Sequence, residues 1–289
     1  MIRVLVTGGN SQLAQCLSEI TNDQTNNEIQ FHFRSKDQLD ITSDKELQVY
    51  FRSHEFDYCI NCAAYTNVEL AEDEPEKAME VNAKATLSLA KLCKEYNRKL
   101  IHISTDYVFD GKADQPYKVT DTTRPISSYG QSKLQGELNI INTMETYFII
   151  RASWLYSPYG KNFVKTMFNL IQKQQPLEIV NSQTGSPTSC YDLAAFLLFV
   201  IMNSELPFGI YHFASDNSAT WYDIVQHMVN KSPDYPPTKL KAVSSFPSKA
   251  SRPAYSVLDL SKTKKVYPEI RSWEEGVDEV MEKIAQRKV

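Results

Sequence analysis

The chain has no run of like charge, no apolar stretch long enough to span a bilayer and no cysteine framework. Its 31 Lys and Arg face 35 Asp and Glu, and the net charge of -4 is spread along the sequence. That removes the electrostatic footprint of a polyanion binder, so no nucleic acid is expected as a partner. The longest apolar stretch, Leu193 to Met202, is about half of the roughly 20 residues a spanning helix needs, which predicts a buried helix and no membrane association. Met1 leads straight into a strand-like run, without the basic start and small-residue cleavage site of a secretory signal; a cytoplasmic protein is expected. Five cysteines (Cys16, Cys59, Cys62, Cys93, Cys190) are too few and too scattered for a disulfide scaffold and read as reduced thiols. Cys59 and Cys62 form a single CxxC, but strand alternation sends them to opposite faces and zinc would need a second ligand pair, so no metal is expected. Internal repeats and low-complexity tracts are also missing.

What is present is enough for a sizeable core: 289 residues, 42% of them hydrophobic. Strand-like runs at Ile2 to Val6, Ile29 to Phe33, Tyr58 to Ala63, Leu100 to Ser104 and Tyr147 to Arg151 alternate with segments of helical spacing. Apolar on both faces and joined by helices, they predict an α/β fold with a doubly wound parallel sheet of the Rossmann type. After Trp154 proline becomes frequent and the pattern loosens, which predicts a smaller C-terminal substrate-binding lobe. The expected division is 1–153 for the dinucleotide-binding domain and 154–289 for the lobe, with the chain free to cross between them. Helices are expected at Asn162 to Lys173, Tyr191 to Asn203, Trp221 to Asn230 and Trp273 to Ala285, with strands near Leu177 to Val180 and Ile210 to Phe213.

The first strand ends in Thr7-Gly8-Gly9-Asn10-Ser11-Gln12-Leu13-Ala14, a glycine turn into a helix that aims backbone N–H groups at a pyrophosphate. Gly8, Asn10, Ser11, Gln12 and Leu13 are therefore candidate cofactor contacts. The extended short-chain reductases carry a similar TGxxGxxG, but here Ser11 and Ala14 stand at the second and third glycines. Ala14 should cost little, whereas Ser11 puts a side chain near the pyrophosphate, lowering affinity or giving its hydroxyl to a phosphate. After the second strand, Arg34 and Lys36 suit the 2′-phosphate of NADPH, and Asp37 suits NADH; the cations tip the expectation to NADPH. Asp40, Ile41, Ala63, Ala64 and Tyr65 complete the expected cofactor contacts.

Tyr129 and Lys133 sit at i and i+4, on one helical face. The pair alone means little, since Tyr235 and Lys239 repeat it among prolines that forbid a helix. Position separates them: Tyr129 opens a helical stretch to Asn142 and follows Ser104-Thr105-Asp106, the end of a strand where open α/β sheets bind ligands. A ketone reduced by hydride needs a proton donor at its oxygen, and a phenol of pKa near 10 needs help to act. Lys133 lowers the phenol's pKa and can hold the cofactor ribose. Thr105 or Ser104 would polarise the carbonyl oxygen.

Ser104-Thr105-Asp106-Tyr107-Val108-Phe109-Asp110-Gly111 resembles the STDYVFDG segment of the dTDP-4-dehydrorhamnose reductases. Pro125 with Tyr129-Gly130-Gln131-Ser132-Lys133-Leu134-Gln135-Gly136-Glu137 is similar to their P…YGxSKLxGE. Further likeness runs through Asn61 to Glu69, Arg151 to Tyr156, Thr184 to Thr188 and Arg252 to Asp259. The resemblance implies reduction of the 4-keto group of dTDP-4-dehydro-L-rhamnose, with Thr105, Tyr129 and Lys133 catalytic. It also implies Ser104, Thr105, Asp106, Val108, Trp154, Asn162, Trp221 and Arg252 as substrate contacts, with Arg252 on the diphosphate. Each tryptophan taken alone is better explained by core packing than by ligand contact. Some family members are dimers bridged by a metal through carboxylates; Cys16 and Tyr191 stand at those places, so the expected partner, if any, is a homodimer without a bridging metal. Two alternatives remain: another nucleotide-linked 4-keto-6-deoxy sugar as substrate, or a non-catalytic regulator resembling the regulatory subunit of methionine adenosyltransferase.

Overall fold

The structure, a computed structural model, describes residues 1–22 and 28–287. Six strands form one parallel sheet: β1 (Ile2–Thr7), β2 (Ile29–Arg34), β3 (Tyr58–Asn61), β4 (Lys99–Thr105), β5 (Tyr147–Ala152) and β6 (Gly209–His212). Their order is β6-β5-β4-β3-β1-β2, with Val4 paired to Phe31 on one side and to Tyr58 on the other. The chain therefore leaves β1 in both directions. The switch point lies at the carboxyl ends of β1 and β3, where such sheets bind nucleotides.

Burial on both faces explains the apolar runs. Val4, Val6, Ile60 and Ile150 enter one core with α1 (Gln12–Asn22) and later helices; Leu5, Cys59, Leu100 and Ile149 enter the other with α2 (Asp44–Ser53), α3 (Ala85–Glu95) and α4 (Ser128–Ile141). Cys59 and Cys62 accordingly meet opposite cores. The third strand ends at Asn61 rather than Ala63, because the chain bends there to pass under Gly8, with Cys62 N–H donating to the Thr7 carbonyl at 3.3 Å.

The remaining long helices are α5 (Phe163–Gln172), α6 (Cys190–Met202), α7 (Trp221–Asn230) and α8 (Trp273–Gln286). The apolar run from Leu193 lies in α6, and none of the described helices is long and apolar enough to cross a membrane. Capping boxes Thr220/Asp223 and Ser272/Glu275 fix the starts of α7 and α8. Residue 153 does not separate the layers: α6 packs against α1 and β6 pairs with β5, so the chain returns to the sheet from the second half. The second half also contributes α5, α7, α8 and a parallel strand pair, Leu177–Val180 with Leu240–Val243.

Candidate active site

Thr105 is the last residue of β4, and a short 3-10 turn at Asp106–Val108 carries the chain away from it. Its hydroxyl donates to Asp106 Oδ1 at 3.0 Å, accepts from Tyr107 N–H at 3.2 Å and lies within hydrogen-bonding reach of Tyr129. Ser127 caps α4 by accepting from Gly130 N–H, which places Tyr129 in the first turn and Lys133 one turn later. The Tyr107 ring meets the Tyr129 ring edge-on at 5.5 Å. Lys133 is 2% exposed, and its Nζ donates to the Ile103 carbonyl at 2.6 Å. All three residues line one cavity of about 660 Å³.

Burial sets the protonation states. It raises the Tyr129 phenol above its usual value against the hydrogen bond with Thr105, so the residue is a phenol at neutral pH. It lowers the Lys133 amine to about 8, opposed chiefly by the charge of Glu137. Asp106 is pushed up to about 6 by burial, despite hydrogen bonds from Ser256 and Thr105. A loaded proton donor, a hydroxyl and an amine thus converge on one wall.

A second cleft of about 390 Å³ adjoins the first, sharing Asn10, Ser11, Cys62 and Ala64. Gly8, Asn10, Ser11, Asp40, Ile41, Ala63, Ala64 and Tyr65 line this cleft, while Gln12 and Leu13 line the larger cavity. Gly8 has φ +65°, and a β-carbon there would sit 2.6 Å from Ala63 N, so only glycine lets β1 and β3 approach at the switch point. Ser11 starts α1: its Oγ accepts from Ala14 N–H at 3.3 Å, which turns the side chain back onto the helix and leaves the hydroxyl hydrogen free to donate. Ala14 is fully buried, its methyl absorbed by the core. The expectation for Arg34 is corrected: its guanidinium donates to the Phe33 carbonyl and lies 5.6 Å over Tyr50, and Lys36 and Asp37 line the cleft instead. A glycine-permitted approach and the free N–H groups of a helix start suit a dinucleotide.

On the substrate side, Ser104, Thr105, Asp106, Trp154, Asn162, Trp221 and Arg252 line the larger cavity. One expectation needs correction. Val108 is fully buried in a small cluster with Phe109, Tyr117 and Leu258, because the 3-10 turn rotates it inward. The Ser104 hydroxyl donates to Glu137 at 2.5 Å and the Thr105 hydroxyl to Asp106 Oδ1 at 3.0 Å, so each would have to turn from a carboxylate to donate to a ligand. Asn162 caps α5 and donates to the Ser157 and Tyr159 carbonyls, a loop-holding arrangement that commits its polar atoms. Trp154 and Trp221 are half-buried rather than core residues, and they stack on each other in the cavity wall. Arg252 pairs with Glu69 at 2.7 Å. Although burial works against it, Glu69 is held down at about 2 by hydrogen bonds from Arg252, Ser248 and two backbone N–H groups. Tyr235 and Lys239 lie outside both cavities.

Residues 2–286 match the family described as RmlD substrate binding domain. The chain belongs to this family. It is 34% identical to the dTDP-4-dehydrorhamnose reductase of Aggregatibacter actinomycetemcomitans over 277 residues, covering 92% of this chain and 94% of that one. It is 35% identical over 260 residues to a probable dTDP-4,6-dihydroxy-2-methyloxan-3-one 4-ketoreductase of Streptomyces antibioticus, covering 89% and 86%. The fold is similar, with a TM-score of 0.91 and 33% identity, to the crystal structure of dTDP-4-dehydrorhamnose reductase from Bacillus anthracis in complex with NADP, covering 98% of this chain and 100% of that one.

Within this RmlD-family site, several supporting residues escaped sequence reasoning. Glu137 accepts from Arg151 at 2.7, 3.0 and 3.2 Å in a buried ion pair. Asn82 donates to Ser132 on α4 and to the Tyr65 carbonyl, tying the helix of Tyr129 to the smaller cleft. His102, inside β4, lies 3.2 Å from Lys133 Nζ. A polar residue inside an otherwise apolar strand was the available signal for His102 and Arg151. Near Cys16 and Tyr191, Glu19 accepts from Tyr159, Tyr191, Lys283 and Arg287. Two cations and two phenols satisfy that carboxylate.

Proposed function

We propose that this chain is an NADPH-dependent reductase that converts the 4-keto group of dTDP-4-dehydro-L-rhamnose to a hydroxyl. The observation that carries this reading is the convergence of the Tyr129 phenol, the Thr105 hydroxyl and Lys133 on a cavity that adjoins the cleft lined by Gly8, Asn10 and Ser11. When bound, the dinucleotide supplies the hydride. Gly8 and the first turn of α1 hold its pyrophosphate, and Lys36 serves as the cation for a 2′-phosphate.

Thr105 turns its hydroxyl from Asp106 to the substrate's carbonyl oxygen, where negative charge develops. Tyr129 gives that oxygen its proton. Lys133 contacts the cofactor ribose and, once protonated, stabilises the phenolate left behind. Trp154 and Trp221 form an apolar wall for the thymine or the sugar ring, and Arg252 exchanges Glu69 for the diphosphate. The five free cysteines suit a reducing cytoplasm.

The likeness to the Streptomyces ketoreductase supports a second reading, in which the same chemistry serves another dTDP-linked keto sugar. Following NADPH oxidation with dTDP-4-dehydro-L-rhamnose and with other dTDP-4-keto-6-deoxy sugars tests both. A kcat/KM highest for the rhamnose precursor supports the first, and oxidation with none of them refutes the reductase reading.

A further inference from the structure

Four buried polar side chains form a hydrogen-bonded line that ends at the catalytic lysine: Thr7, Asn61, His102 and Lys133. Asn61 is the fixed point. Its Oδ1 accepts from Ala63 N–H at 3.2 Å and from the Thr7 hydroxyl at 2.8 Å. A backbone N–H can only donate, so the amide has one orientation. Its Nδ2 then faces His102 Nδ1 at 3.1 Å as a donor, and Nδ1 must accept. Burial keeps the imidazole neutral by holding its pKa well below the usual value. A neutral ring that accepts at Nδ1 carries its hydrogen on Nε2, which lies 3.2 Å from Lys133 Nζ. An ammonium has only donors and would oppose that N–H; a free amine meets it with a lone pair.

We propose that His102 is a positioning residue whose Nε2–H is donated to Lys133, holding it as the free amine in the unliganded protein. The groups around Lys133 agree. Glu137, one turn further along α4, is taken up by Arg151 and Ser104. Tyr129 on the same helix is a phenol, and burial pushes the Cys62 thiol, beyond β3, up to about 12. From β4 come only His102 and the Ile103 carbonyl, which accepts from the amine. Lys133 makes no ion pair among the described residues. Burial lowers it to about 8, and a hydrogen bond donated to its lone pair lowers it further. With no ammonium beside it, Tyr129 keeps its proton until a ketone arrives, the state a reductase needs. That consequence rests on the reductase reading; the protonation states themselves do not.

The test is a long-range ¹H–¹⁵N spectrum of the full chain, labelled at its five histidines and free of cofactor, with Asn61→Asp alongside. The expected wild-type signature is a hydrogen on His102 Nε2 and a bare Nδ1, with Lys133, followed through ¹³Cε-lysine, titrating below about 8. In Asn61→Asp the carboxylate accepts from Nδ1–H, the tautomer reverses, and the Lys133 midpoint rises by about one pH unit or more, a tenfold change in proton affinity. A hydrogen on Nδ1 in the wild type, a wild-type midpoint above 8, or an unreversed tautomer in a folded Asn61→Asp overturns the proposal. If that variant does not fold, the wild-type spectrum and titration decide alone. Because neither measurement uses substrate, an inactive protein with the Nε2 signature would refute the reductase reading and leave this inference standing.

Discussion

The indoles of Trp154 and Trp221 stack with ring centroids 3.6 Å apart and planes 9° from parallel, in the wall of the cavity that holds Tyr129. Trp154 occupies the left-handed region at φ +49°, uncommon for a bulky residue, and its ring lies against Gly185, where a β-carbon would come within 2.5 Å of it. The pair is held by backbone strain on one side and a glycine on the other, which marks a site built for position.

Gly185→Ala is accordingly expected to displace the Trp154 ring. The substrate KM should rise roughly tenfold, with kcat less affected, and stability should fall by about 1–3 kcal/mol from overpacking. Steady-state kinetics and a thermal melt would read this, and an unchanged KM would remove the tryptophans from the substrate site.

Lys133→Met should separate activity from stability. It removes the amine, so turnover should fall by roughly 100-fold or more. The native amine is depressed to about 8 from an ordinary 10.5, so burial of the charged form costs stability below pH 8. Removing it should stabilise the fold at pH 7 by on the order of 1–3 kcal/mol, after allowance for the lost hydrogen bond to Ile103. That gain shrinks as pH rises through 8 and disappears near 10.5, where the unfolded lysine also loses its proton. Unfolding midpoints of both proteins across that range check the sign; a variant less stable at pH 7 would contradict it.

The buried Arg151–Glu137 pair has side chains 3% and 1% exposed. Glu137→Gln leaves an arginine charge without its counter-ion and should cost about 3–5 kcal/mol in urea denaturation. Glu137→Gln with Arg151→Met should recover part of that loss. A single variant within 1 kcal/mol of wild type would show that the pair is not structurally important.

How much of this was legible in the sequence follows from where each signal is local. The inner strands β3, β4 and β5 are buried on both faces, so they read as apolar runs, and α4 announces itself through Tyr129 and Lys133 one turn apart after the Ser104-Thr105-Asp106 strand end. The return of Gly209–His212 to the sheet edge is a long-range pairing that no local pattern encodes. Val108 and Arg34 failed for a related reason: motif position gives the backbone location, while a 3-10 turn and the direction of one guanidinium decide what reaches the cavity. Trp154 and Trp221 are 67 positions apart, so each alone looked like ordinary core.

The central claim is that Tyr129 donates the proton in an NADPH-dependent ketone reduction. The measurement that tests it most directly is NADPH oxidation with dTDP-4-dehydro-L-rhamnose by wild type and by Tyr129→Phe under saturating cofactor. Saturable oxidation by the wild type and a loss of roughly 100-fold or more in the variant is the predicted result. Equal rates in the two proteins would contradict it.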